Sequence, residues 1–592
     1  MPRFVERLRS RISAGGAGQA ASRLMSLLMS LLMSLLAISG EARADQVVTL
    51  CAFDNQAKVS PTDLNLSDAI AIGGRITFSC KGGATIRFRQ SHLLTKSAEI
   101  DGGKLITLDG NSWRMFTASD ARIVLRLVDI AIVNGGPKPS PQLFLKGGVV
   151  HGTLRLELVR SSILRSYWPI ALTGGSARIE ASRLSDNEGA VLAGENLVVI
   201  DHSEFSNNRG NPVYVNGGTI TIDRTDFFGN SAPSGFGQCT FRITRSHFSG
   251  NHVPGWIGGA LILGCDGSIE ESDFRGNSAI DGGAIFISRA ARRVELRAVK
   301  FTDNRAAARG GAISVEPSKV PLELILRHVT FVENKAQFGG AIALEGSTGN
   351  NRALNGVAVG FKGNEASVRG GAIYASNASV RLARGVFAYN KAATVGGAIV
   401  SVQQGPRSME IANSLLVHNI ADSGSAFWGN SASFINSTIA DNGARAVYAK
   451  GRVVTPLPPA AGTPASFPIR FRNTIVSGAG SGACGPSVAL SPYVNDGENL
   501  QHPGASCGSS IPSAAPWLGP YYVPLDWSPA IEGGNDAVCA AAPIDRKDVY
   551  LSRRPLTSHC TIGAVEGNIW YLIERWRKRS DGNFTYRRAG FQ

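Results

Sequence analysis

An aspartate and a histidine lie side by side in a β-prone run, Ile200-Asp201-His202-Ser203-Glu204-Phe205. A lyase that acts on an acidic polysaccharide needs a base, together with a cation or positive group that neutralises the uronate carboxylate.

Asp201 and His202 are candidate catalytic residues, because the run from Ile200 to Phe205 resembles a strand of pectate lyases that ends in Asp-His. Other repeats place Ile-Asp-Arg-Thr-Asp-Phe and Ile-Thr-Arg-Ser-His-Phe in the same register. The repeat therefore favours the simpler interpretation, in which the pair is one variant of a repeated slot.

A second set of candidates comes directly before successive phenylalanines. These candidates are Glu204, Asp226, His247 and Asp273, and Lys300 follows them in the same register. If each Phe points into the core, its neighbour points outward, and the strands of adjacent coils lie about 4.8 Å apart. Like charges that face each other on a sheet repel, so Glu204 beside Asp226 predicts a calcium or glycan site. A solvated charged column is the alternative.

These residues belong to a repeated Phe-x-x-Asn unit, whose copies start 21 to 30 residues apart. A short β-prone run precedes each Phe, and Gly-Gly-Ala-Ile or Gly-Gly-Ala-Leu follows most copies. We predict that Phe points inward and that each Asn pairs its amide with the Asn of the next coil, as a ladder. The ladder residues are Asn208, Asn230, Asn251, Asn277, Asn304, Asn334, Asn364 and Asn390.

Composition and repeat together define the fold class. Glycine is 69 of 592 residues, which argues against long helices because each interior Gly costs about 1 kcal/mol relative to Ala. One coil cannot bury its apolar face alone, whereas stacked coils share a core. Propeller blades need about 40 residues and four strands, more than one period supplies. We predict an all-β chain that forms a single right-handed parallel β-helix, a solenoid with N- and C-terminal caps.

The motifs resemble two bacterial families. Phe-x-x-Asn with Gly-Gly-Ala-Ile/Leu is similar to the repeats of chlamydial polymorphic outer membrane proteins. The start and end of the chain resemble a right-handed β-helix family of the pectin-lyase-like superfamily. The matching segments are Leu66–Ile70, Gly73–Cys80, Ile100–Gly103, Ile106–Gly110, Ile132–Gly136, Pro543–Arg546, Arg554-Pro555 and Cys560–Glu566. That family mixes surface proteins with polysaccharide-active enzymes, so the resemblance implies a fold and leaves the activity open.

The two ends of the chain differ from the repeats. Residues 1–44 combine several Arg, an apolar run and Ala42-Arg43-Ala44, a pattern typical of a signal peptide; an uncleaved anchor is the alternative. The basic and apolar residues of the tail (567–592) predict one of two structures: a basic amphipathic segment that touches an anionic membrane or glycan, or a helix that covers the last coil.

The predicted domains are a signal peptide (1–44), an N-terminal cap with the first coils (45–136), a coil stack (137–475), C-terminal coils and cap (476–566) and a basic aromatic tail (567–592).

The cysteines are typical of an exported protein. Their number, eight, is even, and none forms Cys-x-x-Cys or has a His at metal-ligand spacing, so no metal site is predicted from them. In an exported chain they predict disulfides, paired in sequence order, with free structural thiols as the alternative. The predicted pairs are Cys51 with Cys80, Cys239 with Cys265, Cys484 with Cys507, and Cys539 with Cys560.

The charge and the motifs limit the classes of function that the sequence supports. The formal net charge is +15, but no motif gathers the basic residues, so we expect no nucleic-acid partner. No segment after residue 44 is long and apolar enough to span a bilayer. We predict a non-enzymatic surface protein, secreted or in the cell envelope (periplasm or outer surface), that contacts a polysaccharide or a host or envelope surface. The alternative is a lyase or glycoside hydrolase that acts on an acidic polysaccharide. Calcium is the only cofactor that the sequence suggests.

Overall fold

In a computed structural model, the chain folds into short parallel strands joined by tight corners. The structure describes residues 45–136, 148–190, 192–194, 197–347, 352–403, 409–443, 445–449, 468–478, 482–485 and 493–567. The predicted signal peptide (1–44), and the predicted tail from residue 568 onward, lie outside the described residues. From Val47 onward the contacts define one compact unit; of the N-terminal unit, only Asp45 and Gln46 are described.

One coil shows how the sequence forms the strands. Leu197–Asp201 alternates outward and buried side chains, the two-residue period of a strand packed on one face. A corner at His202 leads into Glu204–Ser206, whose central phenylalanine is buried. The chain then passes through Val213–Asn216 and begins the next coil at Thr219–Asp223, which pairs in parallel with Leu197–Asp201.

The strands form three sheets that follow the stack of coils. The phenylalanine sheet contains Ala84–Arg87, Ile106–Asp109, Ala131–Val133, Ser162–Leu164, Arg183–Ser185, Glu204–Ser206, Asp226–Phe228, His247–Ser249, Asp273–Arg275, Lys300–Thr302, Thr330–Val332, Gly360–Lys362, Val386–Ala388, Leu415–Val417, Thr438–Asn442, Ile475–Gly478 and Leu500–His502. The large, 28-stranded sheet contains Gln46–Val48, Gly74–Phe78, His92–Leu93, Ala98–Asp101, Phe116–Val128, Val150–Val159, Ile170–Glu180, Leu192–Gly194, Leu197–Asp201, Val213–Asn216, Thr219–Asp223, Ser234–Thr244, Leu261–Glu270, Ile285–Ile287, Arg293–Arg297, Ile313–Val315, Leu322–Arg327, Ile342–Glu345, Arg352–Val357, Ile373–Ser376, Ser379–Ala383, Ile399–Val402, Met409–Ala412, Phe427–Gly429, Ala432–Ile435, Val447–Ala449, Ile469–Arg472 and Tyr493–Asn495. The small sheet contains Ser278–Asp281, Arg305–Arg309, Lys335–Phe338, Glu365–Arg369 and Lys391–Ala392.

Helical structure is short in the described chain. It comprises the α-helices Leu66–Ile72 and Asp536–Ala540 and the 3-10 turn Pro520–Tyr522. The first helix begins where the Asn65 side chain accepts the Asp68 amide, and it ends at Gly73, whose φ of 78° suits glycine. Strands in parallel stacks with so little helix confirm the predicted all-β, parallel β-helix fold.

Aromatic rings fill the centre of the stack behind the phenylalanine sheet. Successive rings are buried, lie 4.6 to 5.0 Å apart between centroids and are nearly parallel. This spacing matches the distance between strands of adjacent coils, so each ring packs on the ring of the next coil. The stacked residues are Phe205, Phe227, Phe248, Phe274, Phe301, Phe331, Phe361 and Phe387.

The asparagines of the repeat form a buried ladder of hydrogen bonds. In the middle of it, Asn304 Nδ2 donates to Asn334 Oδ1 at 2.9 Å and to the Phe274 carbonyl at 3.0 Å. Asn304 Oδ1 accepts from both the backbone N–H and Nδ2 of Asn277. The described bonds therefore satisfy both ends of the amide, as buried polar groups require. The same amide-to-amide contact joins Asn187, Asn208, Asn230, Asn251, Asn277, Asn304, Asn334, Asn364, Asn390, Asn419 and Asn442.

A second ladder, made of hydroxyl groups, was not anticipated from the sequence. Two residues before each Phe, the side-chain oxygen of one coil accepts the backbone N–H of the preceding coil, as from Ser182 to Ser203 at 3.2 Å. Val299, Val329 and Val359 interrupt this column in the middle of the stack. The signal was the repeated Ser or Thr at this position. The first run contains Ser161, Ser182, Ser203, Thr225, Ser246 and Ser272.

The two positions of the repeated Gly-Gly pair require glycine for different reasons. Gly310 has a φ of 62°, in the left-handed region that favours glycine. Gly311 lies so close to the next coil that a Cβ would be 2.1 Å from the Gly340 carbonyl oxygen. The first glycine therefore serves the turn, and the second serves the close approach of adjacent coils.

Disulfides join the cysteines that are neighbours in sequence. The bonded pairs are Cys51–Cys80, Cys239–Cys265, Cys484–Cys507 and Cys539–Cys560. Each closes a loop of 21 to 29 residues, a cross-link typically worth about 3 kcal/mol. They link either successive coils or parts of one irregular segment.

The C-terminal segment, residues 511–567, packs along the side of the stack. Val523 and Val565 contact Leu415 and Val417, which lie on the outer face of the phenylalanine sheet. The Asn413 side chain donates to the Lys547 carbonyl at 2.7 Å. For residues 476–566 we predicted coils and a cap. Strands Tyr493–Asn495 and Leu500–His502 continue the two main sheets, whereas the later residues cover a lateral face.

One buried arginine predicts a stabilising substitution. Arg352 is fully buried, and its three guanidinium nitrogens make no hydrogen bond in the described chain. Burial lowers the pKa of this side chain. A buried donor without a partner costs about 1–3 kcal/mol. We therefore expect Arg352→Met to raise the free energy of unfolding in urea by a similar amount. The exposed Arg381→Met on the neighbouring strand should leave it unchanged. Lower stability of Arg352→Met would contradict the prediction.

Candidate functional site: a polar groove along the coil corners

The corners between the large sheet and the phenylalanine sheet carry charged side chains. In successive coils the corner residue adopts a left-handed φ, for example 46° at Arg160 and 42° at Arg224. This conformation turns the chain sharply between two short strands and leaves the corner side chain outside the core. The corner residues include Arg160, Ala181, His202, Arg224 and Arg245.

The two candidate catalytic residues are in contact with each other. His202 Nδ1 lies 3.0 Å from Asp201 Oδ1. Arg224, the corner residue of the next coil, lies 3.3 Å from Asp201 and 3.0 Å from Asp223. The aspartate is thus shared between an imidazole and a guanidinium, and half of the His202 side chain is exposed.

The next coil repeats this pattern with a different partner. Arg245 Nε donates to Asp223 Oδ1 at 3.0 Å, and the Thr244 hydroxyl donates to the same oxygen at 2.6 Å. Burial alone would raise the pKa of Asp223, but these hydrogen bonds outweigh it and hold the pKa below its usual value. Asp223 is therefore a structural anion that is already paired.

The outward residues before each Phe lie in one column, which we call the outward column. The strand register places Glu204 beside Asp226, Asp226 beside His247, and His247 beside Asp273. Glu204 contacts Arg183 at 3.1 Å and accepts the Ser206 hydroxyl. His247 lies 3.4 Å from Asp273.

Asp226 differs from the rest of the outward column. Its side chain is exposed and makes no ion pair or hydrogen bond in the part of the chain that the structure describes. Across the same part, no group of three or more His, Cys, Asp or Glu side chains could hold a metal ion. Glu204, which we expected to share a cation with Asp226, has Arg183 as its charged partner.

A groove of 590 Å³ joins the corners to the outward column. It brings together three of the predicted residues, His202, Glu204 and Asp226, with Asp201 in contact at its edge. His247 and Asp273 lie farther along the outward column, outside the groove lining. The basic side chains of the groove are Lys104, Arg160, Arg183 and Arg224.

The charges in the groove are largely paired. Arg160 lies 2.6 Å from Asp129, and its hydrogen bond holds the pKa of that carboxyl below its usual value. With Arg183 paired to Glu204, the groove presents alternating N–H donors and carboxylate acceptors on a fixed spacing set by the coils. Such a surface suits a ligand rich in hydroxyl groups, which can both donate and accept.

Sequence reasoning missed the arginines of the groove. The signal was present, since the aligned repeats read Ile-Asp-Arg and Ile-Thr-Arg at the corner. Arg160 and Arg224 are such corner residues, whereas Arg183 lies in the outward column beside Glu204; each neutralises a neighbouring carboxylate.

Two family descriptions match the chain. Residues 169–358 match the right handed beta helix region, and residues 361–376 match the Chlamydia polymorphic membrane protein repeat. The protein is thus a right-handed parallel β-helix protein, and both resemblances noted in the sequence are confirmed. The second match contains one complete repeat, with Phe361, Asn364 and the pair Gly370-Gly371. No curated protein and no solved structure matches significantly.

Two further observations concern the compartment. None of the helices in the described residues has the length and apolarity to cross a membrane. The disulfides indicate an extracytoplasmic location, because reducing compartments disfavour such bonds.

Proposed function

We propose that the protein is an extracytoplasmic surface protein of the adhesin type that contacts glycans through the groove at the coil corners. The polymorphic membrane protein repeat and the disulfides support a position in the cell envelope or at the cell surface. The observation that carries the proposal is the groove itself. Its paired arginines and carboxylates offer many hydrogen bonds with little net charge, which favours a neutral or mixed-charge glycan.

One observation favours an enzymatic alternative. The contact between His202 and Asp201 is the arrangement of a base held by a carboxylate, as in general acid–base catalysis. A lyase or hydrolase that acts on a polysaccharide would use this pair at the edge of the same groove. Turnover distinguishes this alternative from binding alone.

The test measures binding and turnover on the same full-length protein. Electrophoresis through gels that contain neutral or acidic polysaccharides, with calcium or a chelator, reports binding; unsaturated and reducing ends report turnover. We expect binding without turnover. Asp226→Ala and Arg183→Ala should each weaken binding about tenfold, since one charged hydrogen bond contributes about 1.5 kcal/mol.

Lys300→Ala provides the matched control, because Lys300 lies in the outward column beyond the groove. It should bind as the wild type does. Turnover that is lost in His202→Ala would support the enzymatic alternative. The glycan proposal would be wrong if no polysaccharide retards the protein.

A further inference from the structure

A rigid hairpin, Pro516–Ser528, projects from the C-terminal segment. Its base is closed by the Ser528 hydroxyl, which donates to the Pro516 carbonyl at 2.5 Å, and by the Leu525 amide, which donates to the Trp517 carbonyl at 2.8 Å. Prolines at positions 516, 520 and 524 fix further φ angles. The hairpin therefore has little freedom to rearrange when it meets a ligand.

The inner side of the hairpin is anchored to the β-helix. The Tyr522 hydroxyl donates to Asp441 at 3.0 Å and lies 2.9 Å from His418 Nε2. Val523 is fully buried against the outer face of the phenylalanine sheet. These contacts fix the direction in which the other side of the hairpin faces.

The hairpin also exposes large aromatic side chains to solvent. Trp517, Tyr521 and Trp527 are 53%, 40% and 68% exposed. Neither indole makes a hydrogen bond or ring contact with the described residues. Trp517 and Tyr521 also adopt left-handed φ angles of 42° and 60°, which are unfavourable for bulky residues. The strained backbone at Trp517 and the exposure of both indoles therefore call for a reason outside the folding of the hairpin.

The chemistry of the hairpin favours a sugar as the occupant. A pyranose ring has one face of C–H groups that packs on an aromatic ring, while its hydroxyl groups stay in water. Trp and Tyr suit such contacts, because they combine a flat apolar body with a polar tip. Asp526 is the only charged residue of the hairpin. Attraction to an anionic membrane or a strongly acidic polymer therefore has no source within it.

We infer that the hairpin is a second glycan-binding site, in which Trp517 and Trp527 stack on neutral pyranose rings and Tyr521 contacts the same chain. The inference rests on the proposed function for the class of ligand. It differs from that proposal in place and chemistry, because this site works by stacking and the groove works by hydrogen bonds.

The test uses the full-length protein in gels that contain soluble neutral polysaccharides, with xylan and dextran as probes. Trp517→Ala and Trp527→Ala should each reduce retardation at least tenfold. Trp527→Phe should restore most of it, because phenylalanine keeps an aromatic face. Trp256→Ala is the matched control, since Trp256 is 61% exposed on a distant coil, and it should behave as the wild type.

The outcomes separate this inference from the proposed function. Loss of binding in Asp226→Ala but not in either tryptophan variant would overturn the hairpin site and leave the groove. Loss in the tryptophan variants alone would support the hairpin and count against the groove. Tryptophan-dependent sedimentation with phosphatidylcholine vesicles, without retardation by xylan or dextran, would overturn the inference. Unchanged thermal midpoints show that each variant is folded, as exposed side chains should allow.

Discussion

Asn304→Asp should destabilise the protein more than Asn304→Ala. Alanine removes the side chain that pairs with the Asn277 amide and the Phe274 carbonyl, whereas Asn334 Oδ1 keeps the backbone N–H of residue 304. Each buried group left unpaired costs about 1–3 kcal/mol, so we expect a loss of about 3–5 kcal/mol in urea unfolding. Aspartate still accepts from Asn277, but it places a buried carboxylate against the oxygens of Asn334 and Phe274. That charge has no compensating partner, so the loss should be larger.

The aspartate variant also has a distinctive pH dependence. A buried carboxyl that faces other oxygens binds its proton more tightly in the folded state than in the unfolded state. Its pKa is thus raised on folding, so the variant is least destabilised below the pKa of an unfolded aspartate and loses stability as the pH rises above it. Thr302→Ala, on the outer side of the adjacent strand, is the control and should change little. Equal stability of the alanine and aspartate variants at neutral pH would contradict the ladder as the cause.

The repeat predicted the fold because its determinants are local. Phe301 and Asn304 are three residues apart, and their roles follow from the geometry of one corner and the stacking of identical units. Their neighbours above and below are simply the next copies, such as Phe331 and Asn334. In a solenoid, residues one period apart in sequence are therefore neighbours in space, so the contacts between coils can be predicted from the period alone.

The candidate site could be predicted only in part, because side-chain reach is not periodic. The repeat register gave the outward column, in which Glu204 lies beside Asp226. It did not show that Arg183 would neutralise Glu204, because arginine can extend to either neighbouring coil. The prediction from the sequence therefore overestimated the negative charge of the groove, because it counted the carboxylates without their arginine partners.

The position of the C-terminal segment depends on contacts between residues far apart in sequence. Leu415 and Val417 point away from the core, yet both are buried, because Val523 and Val565 cover them. In the sequence, Leu415-Leu416-Val417 breaks the alternation of the earlier repeats, where most flanking positions from Arg183 to Lys362 are polar. That break was the available signal that another part of the chain covers this face.

Arg554→Ala should detach the C-terminal segment from the stack. Arg554 and Glu566 are both buried, with Arg554 Nε 3.1 Å from Glu566 Oε2, and Arg554 Nη2 donates to the Gly563 carbonyl at 2.7 Å. Burial lowers the pKa of Arg554 and raises that of Glu566, so each charge depends on the other. Removing one partner of such a pair costs about 3–5 kcal/mol. Hydrogen exchange of residues 520–566 should accelerate before that of the coils.

A second substitution tests the pairing itself. Glu566→Gln keeps an acceptor for the Thr561 amide but removes the charge, so adding it to Arg554→Met should recover part of the stability that Arg554→Met alone loses. Arg470→Ala, which breaks the exposed pair with Asp496, is the control and should cost less than about 1 kcal/mol. If the double variant is no more stable than Arg554→Met alone, the unpaired carboxylate is not the cause. Arg554 would then hold the segment through packing and its bond to Gly563.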